Sequence, residues 1–240
     1  MVAKLFFMLA LIIPPMLEHL DYVDDVCYKK RLRYGNVIRN VLPKNYIWSN
    51  TAVAYRLQGD FQPRELKNIH LAMEALMDIS CIKFHKRTSE EQYLVITNKL
   101  GQGCWADTGR QEKGLTYMNL ALNCTMRMGT ILHELMHVLG FLHQHTRPDR
   151  DLHLCVHYEN ILPQPVALYN YEKVQPWNEL AFSLPYDFES ITHYTPDMYS
   201  IDPGRLPTMS PRHPFSGHAI GQREHLSDYD VLAIHFLYCV

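Results

Sequence analysis

The chain has 240 residues, room for one catalytic-size domain with short extras at roughly 150 residues per domain. Its 47% hydrophobic and 20% charged residues fit a folded domain with a real core and exclude a disordered, collagen-like or coiled-coil chain. A formal net charge of −2 gives no electrostatic case for wrapping nucleic acid, so none is expected as a partner.

Lys4 precedes an apolar run, Leu5 to Ile13, closed by Pro14 and Pro15. The run is too short to span a bilayer, which takes about 20 residues. It reads as a secretory signal peptide ending near residue 17, with a buried N-terminal strand as the alternative. Residues 18–35 are polar, acidic first (Asp21, Asp24, Asp25) and then basic (Lys29, Lys30, Arg31, Arg33). They read as a short prosegment ending in a processing site, with the catalytic domain occupying 36–240. Thr51 to Leu57 alternates Val53, Tyr55 and Leu57 on one face, as a half-buried strand does. A helix follows from Pro63, with Leu66, Ile69, Met73 and Leu76 on one face. Short runs at Cys81–Phe84, Tyr93–Thr97 and Leu115–Met118 predict strands packed on that helix, an α+β arrangement. A second helix is predicted over Met128–Gly140, and Asn160–Gly221, rich in proline and aromatic residues, is predicted to be irregular. Ser227 and Asp230 then stand at capping-box spacing before a final segment to Tyr238. No other stretch is apolar and long enough for a membrane anchor.

Histidine is over-used, 14 residues against 11 glycines, and packing does not reward it, which turns attention to metal or acid–base chemistry. Residues 133–143 read HELMHVLGFLH. His133 and His137, four apart on a helix, share one face and can hold one metal ion. Glu134, one step round, can reach a water at that metal without being a ligand. Gly140 can reverse the chain and return His143 to the same ion. Three neutral histidines leave an open coordination position, the catalytic rather than the structural arrangement of zinc. At this composition the five fixed residues arise by chance on the order of once in 10⁴ such sequences.

Secretion places the six cysteines in an oxidising compartment, where three disulfides are expected; fifteen pairings are open, and no CxxC is present. Asn123-Cys124-Thr125 is a glycosylation sequon.

HExxHxxGxxH and its continuation, GFLHQHTRPDRD, resemble the metzincin zinc endopeptidases and, among them, the astacin family, through Gly140, Phe141, His143, Arg147, Asp149, Arg150 and Asp151. Trp48, the Gly103-Cys104-Trp105 turn, Ser190-Ile191-Thr192-His193-Tyr194 and Ile220-Gly221-Gln222-Arg223 extend the resemblance over about 36–240. It implies a single catalytic domain without C-terminal modules, in two lobes: a twisted, mostly antiparallel-edged sheet with two long helices, and an irregular C-terminal lobe. It implies one Zn²⁺ per subunit on His133, His137 and His143. Glu134 would be the general base and Tyr194 the hydrogen-bond donor to the developing oxyanion. The substrates would be peptides or proteins, paired to the sheet edge. Disulfides Cys81–Cys239 and Cys104–Cys124 are implied, leaving Cys27 and Cys155 over. Asp25 is the candidate latency ligand, in a degenerate form of the family's FxGD motif, against the plainer reading of an acidic, solvated stretch. Cys27 could instead supply a thiolate to the metal, or pair with Cys155. Two positions depart from the family: Thr192 stands where a methionine forms the floor of the site, and Gln144 replaces the glutamate linked to the buried mature N-terminus. They are the support for a rival reading, a zinc-holding pseudoprotease that binds peptides without cutting them. A metal-stabilised structural protein is the third reading, disfavoured by Glu134.

Overall fold

A computed structural model describes residues 44–174, 184–214, 217 and 220–239. The expected signal peptide, the prosegment, Asp25 and Cys27 lie outside the described residues.

The first lobe is built from strand β1 (Ala52–Gln58), helix α1 (Pro63–Ile79) and strands β2 (Lys83–Lys86), β3 (Leu94–Thr97), β4 (Cys104–Ala106) and β5 (Thr116–Leu120). The sheet order is β2-β1-β3-β5-β4. β1 pairs in parallel with β2 and β3, and β3 with β5; antiparallel pairing is confined to the β4 edge. Parallel neighbours need a crossover, and α1 supplies the one between β1 and β2. Pro63 opens α1, and Glu65 Oε2 accepts the Gln62 backbone N–H at 2.7 Å, satisfying a donor at the helix start. Ile69, Met73 and Leu76 bury one face of α1 against Val53, Tyr55, Leu94 and Ile96 of the sheet. Leu66, expected on that face, is only half-buried.

Helix α2 (Met128–Val138) packs into the same core, and every residue from Ile131 to Gly140 is buried. Its carboxyl end is held by side chains from distant segments. The Trp48 indole donates to the Val138 carbonyl at 2.8 Å, and the Tyr238 hydroxyl to the Leu139 carbonyl at 2.7 Å. A short helix α3 (Pro165–Tyr169) belongs to the second lobe, and Tyr238 ends helix α4 (Asp228–Tyr238). The Ser227 cap of α4 accepts the Asp230 N–H at 2.9 Å while Asp230 Oδ2 accepts the Ser227 N–H at 3.1 Å.

A second hydrophobic cluster, with Leu154, Ile161, Tyr171, Tyr194 and Met209, holds the other lobe. It contains strand β6 (Leu154–Val156), paired with β7 (Met209–Pro211), beside α3. The described part of 160–221 is otherwise turns and bends, in keeping with its lack of periodicity. Disulfides join Cys81 to Cys239 and Cys104 to Cys124, and Cys155 is also disulfide-bonded. Among the described residues no helix is long and apolar enough to cross a membrane.

Candidate metal centre

α2 carries His133 and His137 on successive turns, with ring centroids 4.6 Å apart. The helix ends at Gly140, whose φ of 95° is open to a residue without Cβ. Gly140 N–H donates to the His137 carbonyl at 2.8 Å and Phe141 N–H to the Met136 carbonyl at 3.0 Å, the paired bonds of a Schellman turn. That turn brings His143 back, so that one nitrogen from each of His133, His137 and His143 lies within 4.8 Å of the others.

The protons on these rings show what the cluster is suited to. His133 Nδ1 faces the Ile191 carbonyl at 2.6 Å and His137 Nδ1 the Phe141 carbonyl at 2.7 Å, so each Nδ1 must carry the proton and donate it. The Nε2 atoms of His133 and His137 then present lone pairs, yet they lie 3.0 Å apart, and His143 Nε2 is 3.2 Å from that of His137. Lone pairs at such distances repel unless a cation sits among them. Ligand nitrogens about 2.05 Å from a tetrahedral zinc are ~3.3 Å apart, close to what is found. Burial, then neighbouring charges, holds the His133 and His143 pKa values well below the usual histidine value, and burial brings His137 to about 4. The rings are therefore neutral at physiological pH, the form that binds metal. The donor set fits zinc.

Glu134 is 5% exposed, and burial pushes its carboxyl up to about 8 against the opposing pull of Arg223. A dication beside it would pull that value back down. Tyr194, from the second lobe, lies with its ring centroid 4.4 Å from that of His143 and stacks on His145 at 4.0 Å. Its hydroxyl donates to Asn170 Oδ1 at 3.3 Å, and burial raises its pKa, keeping it a donor. The histidines, Glu134 and Tyr194 thus gather at one place, the junction of the two lobes.

The motif residues after His143 brace that junction. Arg147 makes two bonds of 2.9 Å to Asp149 and reaches the Leu184 and Pro185 carbonyls, while Arg150 donates to the His145 carbonyl at 3.0 Å. Gln144 is buried and lines a cavity of about 50 Å³ together with Asp187, Thr192 and Asp230. Burial raises the pKa of both carboxyls, Asp230 to about 6. Asn123 is exposed, while Thr125 of the same sequon is buried, its hydroxyl within hydrogen-bond distance of Glu65 Oε1 (3.1 Å) and the Leu122 carbonyl (2.9 Å). Sequence reasoning assigned no role to Arg223, although IGQR marked it. Its guanidinium donates to the His193 carbonyl at 3.0 Å, and among the described residues it is the arginine whose charge acts on all three histidines and Glu134. Asn170 and His145 were also missed, because nothing local to them signals contact with Tyr194.

The family model for astacin, a peptidase family, matches residues 40–239. Bone morphogenetic protein 1 of Xenopus laevis is 36% identical over 194 residues, 80% of this chain and 27% of that protein. High choriolytic enzyme 1 of Oryzias latipes is 35% identical over 189 residues, 78% of this chain and 65% of that one. The chain therefore spans about a quarter of the first relative and under two thirds of the second. The solved structure of that choriolytic enzyme, described as a hatching enzyme zinc-protease, superposes with a TM-score of 0.73 at 32% identity, covering 85% of this chain and 99% of the other. Myroilysin, at 19% identity and a TM-score of 0.53, covers 83% of this chain and 89% of its own and shares the fold.

Proposed function

Because the chain belongs to the astacin family of peptidases, we propose that it is a secreted zinc endopeptidase that hydrolyses internal peptide bonds of peptide or protein substrates. One observation carries the reading: three imidazole nitrogens, two of them with carbonyl partners that fix the ring proton on Nδ1, converge beside a buried carboxyl and a tyrosine hydroxyl. His133, His137 and His143 would hold one Zn²⁺ per subunit. Zinc bound there supplies Lewis acidity, lowering the pKa of water toward neutrality and polarising a carbonyl. Glu134 accepts the proton of the attacking water and returns it to the leaving amine, a role worth about 10²–10⁴ in rate. Tyr194 leaves Asn170 and donates its hydroxyl to the developing oxyanion. An extended substrate pairs with the exposed edge β4, where Trp105 is 38% exposed.

The proposal extends to the rest of the chain. Residues 1–17 are assigned as signal peptide, 18–35 as prosegment with Asp25 as latency ligand, and 36–240 as the peptidase domain. Asn123 is the proposed glycan acceptor. Thr192 and Gln144 favour a second reading, a zinc-holding pseudoprotease that binds peptides. Cleavage of a denatured protein by the purified, processed chain separates the two. Activity lost in Glu134→Ala and on chelation supports the peptidase. A zinc-loaded, disulfide-intact sample with no turnover is the pseudoprotease.

A further inference from the structure

The turn Ser190–Thr192 meets the metal centre through its backbone. The Ile191 carbonyl accepts His133 Nδ1–H at 2.6 Å. The next carbonyl, that of Thr192, accepts the N–H of Gln144 at 3.4 Å, directly after His143. Two of the three ligand-bearing segments thus rest on consecutive carbonyls of one turn, and the question becomes what fixes those carbonyls.

Asp230, in the first turn of α4, does much of it. Its Oδ2 accepts the Ile191 N–H at 2.7 Å and the Ser227 N–H at 3.1 Å, and its Oδ1 accepts the Ser190 hydroxyl at 2.7 Å. Ser190 Oγ has a single proton, committed to that carboxylate, and two lone pairs. One takes the Thr192 N–H at 3.1 Å, and the other faces Thr192 Oγ1 at 3.0 Å. Thr192 must therefore be the donor in that last bond, and its hydroxyl completes the valence of Ser190. Ser190, Thr192 and Asp230 are each no more than 5% exposed. An apolar side chain at 192 could pack here but could not make the bond.

We infer that Thr192, Ser190 and Asp230 form a positioning chain. It fixes the Ile191 and Thr192 carbonyls and, through them, the orientation of His133 and the placement of His143 toward the metal. The three residues touch neither substrate nor metal. The hydroxyl of Thr192 is the part particular to this chain, a hydrogen bond where the resemblance leads one to expect a packed methionine. The inference rests on the three-histidine metal reading, and a metal-affinity measurement tests each separately.

The experiment is competition for zinc between a chromophoric chelator and the folded, disulfide-intact full chain, in the parent, Thr192→Val, Thr192→Ser and Ser190→Ala. Valine has the shape of threonine without the hydroxyl, and serine keeps the hydroxyl. Partners that orient a metal ligand typically contribute 10–100-fold in affinity. Thr192→Val is expected to weaken zinc binding about 10-fold and Ser190→Ala by at least as much, whereas Thr192→Ser stays within about twofold of the parent. Thr192→Val and Thr192→Ser that behave alike, whether both near the parent or both equally weakened, would overturn the positioning role. A folded parent that takes up no zinc would overturn the metal reading, a result distinct from a parent that binds and a Thr192→Val chain that binds equally well.

Discussion

Gly129 lies in the first turn of α2, where the helix meets the backbone of 223–224. A Cβ at this position would sit 2.0 Å from the Arg223 carbonyl oxygen, 2.2 Å from its carbon and 2.7 Å from the Glu224 nitrogen, where ordinary contact begins at 3.4 Å. Gly129→Ala must therefore push α2 and that segment apart by more than 1 Å. Two effects compete. Alanine is the better helix former by at most about 1 kcal/mol. Overpacking costs ~1–3 kcal/mol even against side chains that can turn aside. Here the obstacle is main chain, pinned by the Arg223 bond to the His193 carbonyl at 3.0 Å and by Glu224 N–H donating to Gln222 Oε1 at 2.8 Å. The steric loss wins, leaving a net destabilisation of about 2 kcal/mol, or a Tm lower by ~4–8 °C for a domain of this size. Urea unfolding of the disulfide-intact protein measures it. A variant as stable as the parent, or more so, would show that helix propensity dominates and that α2 is not wedged against 223–224.

Other substitutions test the remaining supports. Replacing Cys104 and Cys124 by alanine opens a cross-link of sequence separation 20 and should lower stability by about 3 kcal/mol; an unchanged denaturation midpoint would count against it. Tyr238→Phe strands the buried Leu139 carbonyl and should cost about 1–3 kcal/mol, read by the same unfolding curve. His193 is fully buried and burial lowers its pKa to about 4, against about 6.5 in the unfolded chain. On acidification the unfolded chain takes up the proton first, so stability present above pH 6.5 falls as the pH drops toward 4, by up to about 3 kcal/mol. His193→Phe should flatten that part of the stability–pH profile, and a profile of unchanged slope would refute the assignment.

The elements with strong periodicity were legible in the sequence. The predicted strand at Thr51–Leu57 appears as Ala52–Gln58, the helix from Pro63 runs to Ile79, and the Ser227–Asp230 capping box opens α4. The helix with His133 and His137 was legible too, because i, i+4 spacing and a glycine stop are local properties of the chain. The order β2-β1-β3-β5-β4 was not, since short apolar runs carry no record of which neighbour they pair with. Nor was the setting of the site. Ser190 and Asp230 read as a turn residue and a helix cap, and only folding brings the hydroxyl of one to 2.7 Å from the carboxylate of the other. Arg223 is the same case: a charged residue in a surface-like motif becomes a half-buried cation whose charge acts on the three histidines.

The bonds from Trp48 and Tyr238 to the end of α2 limit how far the chain can be trimmed from either side. From the amino-terminal side the donor to be reached is Trp48. A cut beyond it takes away the donor to Val138, and erosion from the other direction takes away the donor to Leu139 along with the Cys239 cross-link. Either loss leaves a main-chain acceptor bare inside the core, one or two residues beyond His137. Proteolytic wear from either direction therefore reaches the supports of the helix that carries His133 and His137 before it reaches β4.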